Sequence, residues 1–147
     1  MVETTIHYPT DSSLLWDSWR VLARLLREGQ TLLPRAHPHR FHDRKAKKLH
    51  LRITRYAGSP ATSRRRLVKR CWRELIARVR GIVGVAEAFV AQSRCHPDPA
   101  VQAVAARIDR VLPSIRVVVS TAERANVKGE TVPAAERVSA FSSRTRS

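Results

Sequence analysis

Six histidines, two cysteines and twelve carboxylates are the residues of this chain suited to metal or acid–base chemistry, and their spacing serves that chemistry poorly. His37, His39 and His42 crowd into "HPHRFH", and His50 follows. Zinc sites use paired CxxC or HxxxH spacings on defined elements, and Cys71, Cys95 and His96 complete no such pattern. The histidines read instead as a solvated cluster facing a polyanion, and both cysteines as buried thiols. Two-metal phosphoryl chemistry needs two or three converging carboxylates. Here Glu3, Asp11, Asp17, Glu28, Asp43 and Glu74 are scattered. Asp11 draws notice because it stands where an extended stretch meets a helix; capping that helix together with Ser12 or Ser13 is the simpler role. No GxSxG elbow occurs, and Gly58, Gly81 and Gly84 lack the context of a phosphate loop. No catalytic set is assigned, and no metal site.

The chemistry that stands out is charge. The chain has 28 Lys+Arg against 12 Asp+Glu, a net +16. Residues 34–80 hold 16 basic and 2 acidic residues, so most of the excess lies in one third of the sequence. Such a field attracts polyanions, nucleic acid above all. The candidate DNA-binding residues are Arg40, Arg44, Lys45, Lys47, Lys48, Arg52, Arg55, Arg64, Arg65, Arg66, Lys69, Arg70 and Arg73. The competing reading is a solvated, arginine-rich helical face.

Helices must position these cations. After "PTDSS", Leu15, Trp19, Leu22 and Leu26 form one helical stripe that ends at Gly29, near residues 13–28. Pro34 and Pro38 make a loop. Ala46, Leu49, Ile53 and Tyr56 mark a second helix, near 42–57, with Arg44, Lys45, Lys47, Lys48, Arg52 and Arg55 on its other side. "GSPATS" ends it. Val68, Trp72, Leu75, Val79, Ile82, Ala86 and Phe89 form a heptad-like seam, predicting a long helix over 62–94. Gly81 and Gly84 within it would permit a partner helix to approach closely. "CHPDPA" turns the chain, with Asp98 as cap. Val101, Val104, Ile108, Val111, Ile115, Val118 and Ala122 carry a matching seam over 98–125, with a kink or break expected at Pro113. "IRVVVS" alone suits a strand, and the sustained seam makes it helix. The two seams predict an antiparallel hairpin. A short helix is expected near 133–141, then a disordered Ser/Arg/Thr tail. No apolar run reaches the roughly 18 residues that span a bilayer, and no secretory leader is seen, so a cytoplasmic location is expected.

The most specific stretch is "VETTIHYPTDSSLLWDSWRVLARLL" (residues 2–26), which closely resembles a segment of bacterial insertion-sequence transposases of the DDE type, the ISNCY-like group. There a similar "VVET-IHYPTDSSLL-DG-RVL-R" follows a short strand bearing the first catalytic aspartate. "FHDRKAKKLHLRITR" (41–55) is similar to the family's basic helix, "RLVKRCWRELIARVRGIV" (66–83) to the long helix after it, and "KGETVPAAERVSAF" (128–141) to the stretch before the return to the catalytic core. The resemblance thus covers nearly the whole chain. Trp16 and Trp19 depart from the pattern, and "FSSRTRS" stands where the family runs "FE-HT".

The resemblance implies a mainly α chain: a long-helix hairpin or bundle, the family's insertion region, with a strand at residues 3–8 left from an RNase H-like core. Residues 1–12 would be that strand and turn, 13–127 the helical domain, and 128–147 the short helix and tail. The strand with the first acid would precede residue 1 and the other acids would follow residue 141, as in a truncated internal fragment, catalytically incomplete. An intact member would use Mg2+; none is expected to be held by this chain. The expected function is DNA backbone contact in transposition and recombination, with DNA and further transposase chains or a second copy as partners, nucleoid-associated when bound. The alternative is a small basic helical protein, binding nucleic acid or oligomerising, without catalysis.

Overall fold

A computed structural model describes residues 10–33 and 41–127. These form four helices, α1 (Thr10–Leu32), α2 (Asp43–Tyr56), α3 (Thr62–Ser93) and α4 (Pro99–Asn126), with no strand among the described residues. The expected strand at 3–8, the short helix at 133–141, the tail, His37, His39 and Arg40 lie outside the described residues.

Each helix buries most of the stripe that its periodicity marked, with Tyr56 of α2 and Val68 of α3 only half-buried. Leu15, Trp19, Leu22 and Leu26 of α1 are buried, as are Ala46, Leu49 and Ile53 of α2. In α3 the seam from Trp72 to Phe89 is buried, and in α4 all seven seam residues are. Burying a Leu, Ile or Phe side chain contributes about 1.5–3 kcal/mol, and one connected apolar cluster takes residues from all four helices. "IRVVVS" is helical, as the seam required. The Asp98 carboxylate caps α4 by accepting from the Ala100 N–H at 2.9 Å.

Ion pairs and hydrogen bonds record the directions of the helices. Arg80 of α3 pairs with Glu123 of α4, and seven residues on, Glu87 pairs with Arg116, seven residues back. α3 and α4 are therefore an antiparallel hairpin. Ser12 meets His50, and seven residues on, Trp19 meets Asp43, so α1 and α2 are antiparallel too. α2 packs on α1 and α3, while α4 packs on α3 and closes back on α1. A bidentate Arg107–Glu28 pair at 2.9 and 3.1 Å fastens that last contact. Helices adjacent in sequence are thus adjacent in space, the least costly arrangement for short connections. It brings the end of α2, the start of α3 and the end of α4 to one end of the bundle.

Four expectations need correction. α1 does not stop at Gly29; it runs on to Leu32. Gly29 is buried under Phe89, and a Cβ there would lie 2.5 Å from the ring's Cζ, so the glycine serves close packing rather than termination. Ser12 and Ser13 do not stand at the N-cap, because α1 already begins at Thr10; Ser12 is buried and lies within hydrogen-bond reach of His50. α4 continues through Pro113 without a break. Pro113 lies on the exposed side, where the Asp109 carbonyl that loses its helical partner can be solvated. Among the described residues no helix approaches Gly81 or Gly84 closely, since nothing lies within 4 Å of a Cβ built at either.

Candidate nucleic-acid interface

In α2 the apolar residues Ala46, Leu49 and Ile53 lie within one narrow arc, because they are three and four residues apart. Docking that arc turns Arg44, Lys48 and Arg55 directly outward, with Lys45 and Arg52 on one flank and Lys47 on the other. All six are exposed. The same logic orients the start of α3: Cys71, Trp72 and Leu75 point inward, and Arg66, Lys69, Arg70 and Arg73 outward. Arg64 and Arg65, in the first turn, are exposed as well. Twelve of the thirteen candidates are thereby placed on the surface; Arg40 lies outside the described residues.

Three observations join the two basic arcs. Arg52 of α2 and Arg70 of α3 both act on the Cys71 thiol of α3, opposing the rise in pKa that burial causes. The Arg64 guanidinium sits over the Tyr56 ring, 5.3 Å from its centroid. Arg65 and Lys69 share the lining of one cleft with Tyr56, Ala57 and Gly58. The basic residues at the end of α2 and the start of α3 therefore adjoin across the α2–α3 seam.

Glu74, exposed on α3 and acting on Cys71, is the acid within the basic stretch of that helix, whereas five other acids are paired with arginines. Asp17 pairs with Arg20, Asp43 with Arg27, Glu123 with Arg80, Glu28 with Arg107 and Glu87 with Arg116. None of these arginines belongs to the candidate set. Among the described residues, none of the twelve candidates enters an ion pair. Asp43, the one acid of α2, is further held by the Trp19 indole N–H at 2.8 Å. It stands in the first turn of α2, where the helix dipole favours a carboxylate. Trp19, a departure from the transposase-like pattern, is 4% exposed and has its donor satisfied in this way.

The histidine expectation divides. His42 is exposed beside the basic face. His50 turns instead into the α1–α2 seam, stacked on Trp16 (centroids 6.5 Å apart) with its Nδ1 3.0 Å from Ser12 Oγ. Burial pushes its pKa down; Asp17 opposes the shift and Arg20 adds to it. A serine hydroxyl within hydrogen-bond reach of an imidazole resembles a nucleophile and base, but Ser12 is 0% exposed and no substrate reaches it. Asp11 lies in the first turn of α1. Among the described residues, no three His, Cys, Asp or Glu side chains gather as metal ligands. Cys71 is buried, and burial raises its pKa. Cys95 is exposed, against expectation, because it sits in the turn after α3. No helix among the described residues is long and apolar enough to cross a membrane.

Sequence reasoning missed the cleft itself, about 540 Å³, at the end of the bundle where α2, α3 and α4 meet. Tyr56, Val68 and Trp72 line it. All three had been assigned to seams by periodicity. The signal was the place of Tyr56 and Val68 near helix ends, where a seam runs out of partner.

Comparison with protein-family models, with curated proteins and with solved structures gives no match.

Proposed function

We propose that the chain binds DNA through the phosphate backbone, using the basic face of α2 and early α3, as part of a polypeptide of the DDE transposase type. One observation carries the binding claim: twelve exposed cations on two adjoining helices, without ion pairs among the described residues, while five carboxylates are paired with other arginines. Lysines and arginines so presented meet phosphate oxygens without reading bases. The transposase assignment rests on the resemblance of residues 2–26, 41–55, 66–83 and 128–141. The reading as a helical oligomer has less support, because the seams of α3 and α4 are filled by the chain's own helices.

The test is titration of a labelled DNA duplex with the full chain and two variants. Arg44→Glu/Lys48→Glu/Arg55→Glu reverses the centre of the basic face; Arg110→Glu, exposed on α4, is the control. The triple variant should lose at least tenfold in affinity beyond the control and reduce the salt slope by about one per phosphate contact removed. Equal affinities for the triple variant and the control would refute the assignment.

A further inference from the structure

The cleft at the end of the bundle combines two chemistries. Its apolar lining is Ile53 and Tyr56 from α2, Val68 and Trp72 from α3, and Val127 just after α4. Its cationic lining is Arg65 and Lys69, both exposed and both on α3. Residues four apart share a helix face. Val68 and Trp72 therefore form one row along α3, and Arg65 and Lys69 form the neighbouring row. Trp72 is buried, so a flat ring would lie on Val68 and the neighbouring Tyr56, and would hold an attached anion against the second row.

The volume, about 540 Å³, falls within the roughly 300–1,000 Å³ of small-ligand sites. Asn126 donates from Nδ2 to the Ala122 carbonyl at 3.2 Å, so its amide is fixed on α4 and supplies a polar group at the third wall. Arg64 covers one face of Tyr56 and steadies that ring at the edge of the cleft. The ligand class is thus an aromatic ring bearing an anion. The adjoining basic face selects among such ligands, because a phosphate backbone lying along it ends at this cleft.

We infer that the cleft is a site for one nucleotide unit, its unpaired base against the half-buried Tyr56 and Val68, above the buried Trp72 and Ile53, and its phosphate against Arg65 and Lys69. This rests on the reading of α2 and α3 as the DNA-binding face. It adds that the protein prefers DNA with an unpaired nucleotide over a fully paired duplex. Stacking of one base on aromatic side chains supports a preference of about tenfold or more.

The experiment uses the full chain with three probes: a blunt duplex, the same duplex with a one-nucleotide 2-aminopurine overhang, and free 2-aminopurine deoxyribonucleoside monophosphate. The overhang duplex should bind about tenfold more tightly than the blunt one, with its 2-aminopurine emission quenched. Val68→Trp, which fills the cleft without changing charge, should erase the difference while leaving blunt-duplex affinity and its salt slope unchanged. Tyr56→Ala, at a half-buried position, gives the same readout should Val68→Trp fail to fold. Quenching of the free monophosphate at the same concentration as the overhang, again lost in Val68→Trp, would assign the site to a free nucleotide and keep the inference. Equal affinity for both duplexes, with no quenching of any probe, overturns the inference and leaves backbone binding standing. Failure to bind either duplex overturns the DNA reading itself, and absence of quenching by the free monophosphate then removes the nucleotide site with it.

Discussion

Gly29 shows how one residue can be decided by a neighbour far along the chain. Its backbone lies so close to Phe89 that a methyl group would meet the ring at 2.5 Å, and both residues are buried in a packed seam. Gly29→Ala should therefore destabilise the fold by about 1–3 kcal/mol, although alanine is the better helix former. Denaturant melts of the two proteins check this, and equal stability would contradict the close approach. The thiols make a second contrast. Cys95, exposed in a turn, should react with a thiol reagent in the native protein. Cys71, buried and with its pKa raised by burial, should react only on unfolding.

His50 couples the residue scale to pH. Its pKa is lowered in the folded protein, chiefly by burial, with Arg20 adding to the shift and Asp17 opposing it. The unfolded chain therefore binds the proton more readily. Stability is fully present above about pH 6.5, the ordinary histidine value, and declines as pH falls below it toward the lowered folded value. His50→Asn should flatten that decline in melts between pH 7.5 and 5. An undiminished decline would show that other groups carry it.

At the scale of the element, the apolar periods were readable because each helix buries a single stripe. Three-and-four spacing of Leu, Val and Ile stated the four helices, their inward faces and the outward basic arcs. What escaped the sequence depended on contacts between elements. Gly29 looked like a stop because its partner, Phe89, lies sixty residues away. Ser12 looked like a cap because nothing local announces His50 across the α1–α2 seam. Pro113 suggested a kink or break, and the break is absent because the proline sits on the exposed side of the helix, which a sequence does not display. With Pro113 exposed and α4 continuous, Pro113→Ala should restore the missing backbone donor and raise stability, by up to about 3 kcal/mol. An unchanged or lowered melting temperature would mean that α4 is bent there for a packing reason.

The whole molecule separates two tasks. α1, α3 and α4 supply most of the buried apolar surface. α2 is short and, with the start of α3, carries the cations toward solvent. Exposed ion pairs such as Arg107–Glu28 and Arg116–Glu87 contribute about 0.2–1 kcal/mol each. Their larger consequence is electrostatic: they neutralise carboxylates of α1, α3 and α4, so that Glu74 is the acid left among the cations of early α3. The exposure of twelve of the thirteen cations was legible in the sequence; Arg40 lies outside the described residues. The cleft beside the basic face was not legible, since it is made by three helix ends that only the bundle brings together. Arg65 and Lys69 belong to both features, so reversing them should weaken duplex binding and unpaired-nucleotide binding together, whereas filling the cleft should separate the two.

The measurement that tests the central claim most directly is the affinity of the full chain for a DNA duplex across a salt series. If about half of the twelve exposed cations of α2 and α3 meet phosphates, the logarithm of affinity should fall with the logarithm of salt at a slope near −5. It should do so alike for unrelated duplex sequences. No binding at low salt, or a slope near zero, would mean that the basic face is only a solvated surface and that the chain does not engage DNA through it.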